Sequence, residues 1–220
     1  YKPLSHEKLR GFKNFLAFSA CFIPIFIGFI LPVVELTYWA LNYKLDFFNE
    51  KFISTAWNTF YLAIIAAFFC SVLAVLINFS IRYKSNNYLK FMSSFLTVGY
   101  AVPGLILAIG VMQMLTFIDK SFVSNIPNIV FTGSIFGLVL AYIIKSYALS
   151  NSTIDAGYQR INERIDDVAR TLKTSGWSLL SHVHLPLLKT SFLTSMLLVV
   201  SEVIKELPAT LILRPFNFDT

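Results

Sequence analysis

The chain has 220 residues, of which 56% are hydrophobic and 14% charged, and its formal net charge is +6. Soluble globular domains are about 25% charged, so this composition excludes an ordinary soluble domain. A mean hydropathy of +0.66 indicates instead an integral membrane protein. Long charge-free runs recur along the chain, and they predict an all-α, polytopic helix bundle.

Five segments are predicted to cross the membrane as helices. Four lie in runs without a charged residue, and about 20 apolar residues are enough to span the hydrocarbon core. The fifth must contain Glu202, because the charge-free run after Lys189 is too short to span the membrane. The predicted spans are 12–34, 54–80, 91–116, 129–149 and 187–207, with a long inner loop at 150–186.

The distribution of basic residues predicts the orientation of these spans. With a cytoplasmic amino terminus, the inner segments 1–13, 82–90 and 145–189 hold 13 Lys and Arg, whereas the outer segments hold five. An excess of Lys and Arg on the cytoplasmic side is the positive-inside rule. The positive net charge is therefore explained by topology in a lipid membrane, and no nucleic-acid partner is expected.

The third predicted span contains a Pro-Gly step, Pro103-Gly104, within the stretch GYAVPGLILAIG. Proline inside a helix removes a backbone hydrogen bond, which membranes tolerate where neighbouring helices or a water-lined cavity satisfy the freed groups. Small residues that allow close helix packing also lie in this span: Gly99, Ala101, Gly104, Ala108 and Gly110. The span is interpreted either as a tightly packed helix or as a kinked helix that lines a translocation path.

The inner loop contains a stretch with the periodicity of an amphipathic helix. Carboxylates at Asp166 and Asp167 suit the positive end of a helix dipole, and Gly176 favours two short helical segments over one rod. Acidic and basic residues nearly balance here, which favours a protein partner over a lipid surface. Apolar or small residues recur at steps of three and four: Ile165, Val168, Ala169, Leu172, Gly176, Leu179, Leu180 and Val183.

This loop resembles the coupling loop of inner-membrane permeases of binding-protein-dependent, type I ABC importers. That family carries Glu-Ala-Ala, a Gly, and a later Ile-x-Leu-Pro at fixed spacing, and this chain reads DVA at 167–169 and VHLP at 183–186. Lys173 stands where the family has the Gly that permits a turn, and Gly176 is a second candidate for that turn. The resemblance implies an ATPase-coupling element made of Asp167, Ala169, Gly176, Leu185 and Pro186.

A second resemblance concerns the segment KELPATLILRPFNFDT, residues 205–220, which is similar to the segment after the fifth span of ferric-iron permeases. The stretch 99–110 is similar to their third span. Those proteins are often two fused permease halves, and this chain resembles the second half. The resemblance implies a single permease domain over 1–220, a final span beyond Thr220, and a second permease half or subunit.

The same resemblance implies the partners and the location. A cytosolic ABC ATPase dimer would bind ATP and Mg²⁺, so no cofactor is expected on this chain, and the chain itself is not expected to be an enzyme. A periplasmic binding protein would deliver ferric iron to the chain in a bacterial inner membrane. Thiamine, polyamines or phosphonates are alternative substrates. A secondary transporter is a further alternative, but spans one to four lack its midplane acids and repeat symmetry.

Four residues are candidates for a translocation path: Pro103, Gly104, Glu202 and Glu206. An ionisable residue within a span is costly and suggests a function, and hard cations prefer carboxylate oxygen. Glu202 and Glu206, four residues apart, are expected to share a helix face, although Glu202 could instead pair with Lys205 at the outer interface. No metal site is predicted.

Overall fold

The computed structural model describes residues 11–42, 49–84, 87–123 and 130–215, and these residues are predominantly helical. The chain divides into two compact units, residues 1–49 and 50–220. The helices of the described residues are α1 Phe12–Asn42, α2 Glu50–Tyr83, α3 Asn87–Thr97, α4 Gly104–Ile118, α5 Ile135–Gln159, α6 Arg164–Thr171, α7 Trp177–Lys205 and α8 Leu207–Leu213. The last five residues, 216–220, of the segment KELPATLILRPFNFDT lie outside the described residues.

Five helical segments among the described residues are long and apolar enough to cross a membrane. They are Phe12–Asn42, Glu50–Tyr83, Gly104–Ser121, Ile135–Gln159 and Trp177–Lys205. The expected all-α, polytopic membrane fold is therefore confirmed. Their limits nevertheless differ from the predicted ones at several places, and the differences determine where the functional residues lie.

In the first unit, α1 is one continuous apolar helix that contains a π-helical turn at Phe26–Ile30. None of the residues in its most apolar window is buried. Phe18, Phe22 and Phe26 follow one another on one side, with ring centroids 5.5 and 5.8 Å apart. The helix is thus long and apolar enough to cross a membrane.

In the second unit, α2, α5 and α7 pack together and form the centre of the bundle. The face of α2 that lies in this core is rich in small residues, which allow helix backbones to approach closely: Ala63, Ala66, Ala67, Cys70 and Ala74. The Ser195 hydroxyl lies 2.8 Å from Ser71 Oγ and donates to Ser150 Oγ at 2.8 Å. This serine cluster joins the three helices through groups that are fully buried.

The third predicted span, 91–116, is not one helix, so the prediction of a single spanning helix there, packed or kinked, is wrong. α3 ends at Thr97, a 3₁₀ turn covers Val98–Ala101, and α4 begins at Gly104. Val102 and Pro103 are extended, with ψ of 129° and 134°. The residue before a proline avoids the helical conformation, so the chain breaks at Val102, and Pro103 becomes the N-cap of α4 instead of an interior residue.

The helices at the fourth and fifth predicted spans extend beyond the limits 129–149 and 187–207. α5 continues through Lys145 to Gln159, and α7 already begins at Trp177, so the connection between these helices is 160–176, within the predicted inner loop 150–186. Lys145 is tolerated inside α5 because its ammonium group has partners, which are described below. Pro186 lies inside α7, directly after a π-helical turn at Leu180–His184; such turns accommodate a disturbed hydrogen-bond ladder.

Candidate functional site

The short helix α6 stands between the two turns of the inner connection. Asn162 Oδ1 accepts a hydrogen bond from Arg164 N at 3.0 Å at the start of the helix. At its end, Thr174 N donates to Ala169 O at 3.0 Å, and Lys173 between them has φ of +60°. This is the hydrogen bond of a Schellman cap, with Lys173 at the left-handed position that glycine normally occupies.

Lys173 therefore makes the turn itself, at the position where the resembled family has Gly. Gly176 also has positive φ, +56°, and serves as the N-cap of α7. The two residues form separate turns, one ending α6 and one starting α7. The prediction of two helical segments separated by a turn is confirmed, and Lys173 adds a turn before the one at Gly176.

Four of the five coupling residues predicted from the sequence lie on two helices, and Gly176 is the N-cap between them. Asp167 is exposed on α6, and Ala169 on the same helix is buried. Leu185 and Pro186 are exposed on α7, beyond the turn at Gly176. Exposed apolar side chains lie at the end of α6 beside charged ones: Val168 is 60% exposed, Leu172 directly after α6 is 74% exposed, and Trp177 at the start of α7 is 71% exposed.

A buried polar network, which the sequence alone did not indicate, holds α6 to the bundle. Arg82, at the end of α2, donates from Nε to Asp166 Oδ2 at 2.7 Å. Its Nη1 donates to the backbone carbonyls of Tyr158 and Ile161, both at 3.0 Å, and its Nη2 to that of Asn162 at 3.2 Å. One guanidinium thus caps the last turn of α5, whose carbonyls lack helical partners, and also binds α6.

His184 completes this network from α7. Its side chain is fully buried, and its Nε2 lies 3.2 Å from Asp166 Oδ1. The imidazole packs between Phe79 and Tyr158, with ring centroids 5.4 Å away on both sides. His184 is therefore packed in the bundle, and among the described residues no three His, Cys, Asp or Glu are placed to hold a metal ion.

A second polar site lies where two helix breaks meet. Glu206 has φ of −82° and ψ of 76°, so α7 ends before it and α8 begins after it. Pro208 explains the break, because a proline ring clashes with the carbonyl four residues earlier in a continuous helix. The expectation that Glu202 and Glu206 share one helix face is therefore wrong. Glu202 is partly exposed on α7.

Glu206 faces Gly104, the first residue of α4, so closely that a β-carbon at that glycine would overlap Glu206 Oε1. Lys145 of α5 lies 3.8 Å from Glu206 Oε2 and donates to Val102 O at 3.1 Å. Its ammonium group thus satisfies the carbonyl freed at one break and neutralises the carboxylate at the other. Of the four predicted path residues, the structure brings Gly104 and Glu206 together, with Pro103 adjacent.

A cavity of about 200 Å³ opens beside Glu206. Tyr142 Oη lies 2.6 Å from Thr210 Oγ1 at its wall, and Thr210 in turn donates to the Glu206 carbonyl. The cavity is lined by Thr59, Tyr142, Val203, Ile204, Glu206, Leu207, Thr210, Leu211 and Arg214. Irregular backbone at membrane depth is tolerated where it is buried in protein or lines a cavity, and this site combines both features.

Comparison with known proteins identifies relatives of the chain. The family described as "Binding-protein-dependent transport system inner membrane component" matches residues 71–215. The Fe(3+)-transport system permease protein FbpB 2 of Haemophilus influenzae is 27% identical over the whole chain, which spans 42% of that relative. The putative 2-aminoethylphosphonate transport system permease protein PhnV of Salmonella typhimurium is 24% identical over 81% of the chain and 66% of the relative.

A third relative is the putative ferric transport system permease protein FbpB 1 of Haemophilus influenzae, 26% identical over 72% of the chain and 25% of its own length. The chain thus spans less than two thirds of each of these three relatives. The matched family region begins within α2 and ends after α8, so it contains both polar sites.

Proposed function

Because the chain belongs to the binding-protein-dependent transport system inner membrane components, the permeases of type I ABC importers, we propose that it forms the membrane pathway of an ATP-driven importer. A cytosolic ABC ATPase dimer binds ATP and Mg²⁺ and docks on the inner connection. A periplasmic binding protein delivers the solute at the other face of a bacterial inner membrane, and a second permease half or subunit completes the pathway. The chain itself catalyses no reaction.

The exposed outer surface of α6 is the observation that carries this proposal. Val168 and Leu172 are exposed at the end of a helix that Asp166 and Ala169 hold against the bundle. An apolar helix surface backed by a rigid support suits the groove of a protein partner. Asp167 adds a carboxylate beside that surface, and Gly176, Leu185 and Pro186 extend the proposed coupling element onto α7.

Substitution of Val168 by Glu tests the proposed docking. A charge on the apolar surface would have to be desolvated on docking, so we expect the Val168→Glu variant to lose copurification of the cognate ABC ATPase and substrate-stimulated ATP hydrolysis in proteoliposomes. Asp155→Asn, an exposed position on α5 that accepts a hydrogen bond from Gln159, is the matched control. Unchanged copurification and transport by the Val168→Glu variant would contradict the proposal.

Ferric iron is the substrate that we propose. Two of the relatives described above are named as ferric permeases, and the carboxylate of Glu206 beside the cavity offers the oxygen chemistry that a hard cation prefers. Pro103, Gly104 and Glu206 form the proposed path, and Glu202 lies on α7 one turn before the break.

A phosphonate is the second candidate, favoured by the Salmonella relative. Uptake of ⁵⁵Fe(III) and of radiolabelled 2-aminoethylphosphonate by the same proteoliposomes, each with its binding protein, separates the two substrates. ATP-dependent uptake of the phosphonate without uptake of iron would overturn the iron assignment and leave the importer assignment in place.

A further inference from the structure

The carboxylate of Asp166 on α6 contacts side chains of α2 and α7, and Arg82 extends this network to the end of α5. Asp166 Oδ2 accepts from Arg82 of α2, and Asp166 Oδ1 lies 3.2 Å from His184 Nε2 of α7. Arg82 simultaneously binds carbonyls at the end of α5 and in the following turn. The two carboxylate oxygens of Asp166 are therefore directed to different membrane helices.

Few other side chains of α6 are buried against the bundle. Among the described side chains of α6, only Asp166 and Ala169 are buried, whereas Val168 and Ile165 are 60% and 37% exposed. The connections at either end of α6 are non-helical turns. A push on α6 thus reaches the membrane helices through the Asp166 network, through the packing of Ala169 or through these turns.

The chemistry of the network suits mechanical transmission. Arg82 uses Nε and both Nη atoms in four hydrogen bonds, and the planar guanidinium fixes their directions. The side chains of Arg82 and Asp166 are 15% and 12% exposed, so the pair is little screened by water. Charge-assisted hydrogen bonds of this kind are directional, whereas contacts between apolar side chains are not.

We infer that Arg82, Asp166 and His184 form a rigid linkage through which displacement of α6 moves α2 and α7. This inference rests on the proposed function, because it assumes that an ATPase pushes on the exposed surface of α6. Val168 and Leu172 then bind the partner, and Asp166 transmits the displacement of α6 to α2 and α7. These three residues are positioning residues that contact neither ATP nor the transported solute.

Asp166→Asn tests the linkage, since it keeps the shape of the side chain and removes its charge. The complete importer, with its cognate ATPase and loaded binding protein, is reconstituted in proteoliposomes. We expect the variant to bind the ATPase as wild type does, while the ⁵⁵Fe(III) transported per ATP hydrolysed falls between about twofold and thirtyfold, the range of reported coupling changes. Asp155→Asn, the exposed carboxylate of α5, is the control and keeps the wild-type ratio.

A second readout does not depend on the substrate. Spin labels at Trp57→Cys on α2 and Leu211→Cys on α8, both exposed, report their separation in a Cys21→Ser background. ATP with vanadate is expected to shift this separation in the otherwise wild-type complex and to shift it less in the Asp166→Asn complex. A merely structural role of Asp166 would lower the yield of folded protein without removing this shift from the assembled complex.

If the Asp166→Asn variant fails to assemble, the Arg82→Lys variant tests the linkage instead. Lysine at this position keeps the positive charge and loses the forked hydrogen bonds. Normal transport per ATP and a normal spin-label shift in either assembled variant would overturn the linkage. If the wild-type chain neither binds an ABC ATPase nor transports, the proposed function fails instead, and the two failures are thereby distinguished.

Discussion

At the scale of single residues, Lys173 adopts a conformation that its side chain disfavours. A non-glycine residue in the left-handed region costs about 1–2 kcal/mol, yet the cap that ends α6 needs this geometry at φ +60°. The hydrogen bond from Thr174 N to Ala169 O, which closes the turn, shows that the cap forms with Lys173 in place. The turn is thus retained with a strained residue.

Replacing Lys173 by Gly should stabilise the protein. We expect the Lys173→Gly variant to be more stable than the Lys173→Ala variant by about 0.5–1 kcal/mol, because glycine adopts positive φ without a steric cost but loses more chain entropy on folding. Thermal unfolding of the purified variants in detergent measures the difference. Equal melting temperatures for Gly and Ala would show that the left-handed conformation carries no strain.

At the scale of helices, the ion pair of Lys145 and Glu206 links three parts of the bundle. Val102 and Gly104 flank the break before α4, Glu206 is the break between α7 and α8, and Lys145 lies in the interior of α5. Removing one member of a buried pair leaves an uncompensated charge, which is far more costly than removing both.

A double-mutant cycle on this pair should show strong coupling. Lys145→Met and Glu206→Gln alone are each expected to destabilise the protein by about 3 kcal/mol, and the double variant by less than the sum, with a coupling energy of about 0.5–3 kcal/mol. Chemical or thermal unfolding in nanodiscs measures these differences. Additive effects would mean that the two groups do not interact, and a parallel cycle on Asp155 and Gln159 gives the smaller coupling of an exposed hydrogen-bonded pair.

The positions of most helices could be predicted from the sequence, because apolar runs of span length and a proline or glycine at their ends are local signals. The ends of α5 and α7 could not. The sequence places Lys145 near the inner end of the fourth predicted span because its partner, Glu206, is remote in sequence. A paired charge can lie inside a helix where an unpaired one cannot. Likewise, Arg82 and Asp166 are 84 positions apart, and no periodicity links them.

At the scale of the second unit, two polar networks lie at separate levels of the same helices. α5 carries Lys145 in one network and Tyr158 in the other, about 20 Å apart along a helix that rises about 1.5 Å per residue. α7 carries His184 in the inner network and ends at Glu206 in the other. Between them lies a core of small and apolar side chains and buried serines. Two rigid helices therefore connect the surface of α6 with the broken backbone at Glu206.

The proposed orientation places Leu172 and Val130 on opposite sides of the membrane. We expect Leu172→Cys to react with a membrane-impermeant maleimide only in inverted vesicles, and Val130→Cys only in spheroplasts, because an odd number of crossings separates the two exposed positions. A Cys21→Ser background removes the exposed native thiol, whereas Cys70 is buried. Labelling of both positions from the same side would contradict the five-span topology.

The turn at Lys173 also bears on how relatives of this chain are recognised. A pattern written in residue letters that demands glycine at this position would reject this sequence, although its backbone performs the turn for which the glycine is kept. What is shared at this position is a dihedral angle, and a residue type is only one way to obtain it. Divergent members of the family are therefore better sought by the conformation that a position must adopt than by the letter found there.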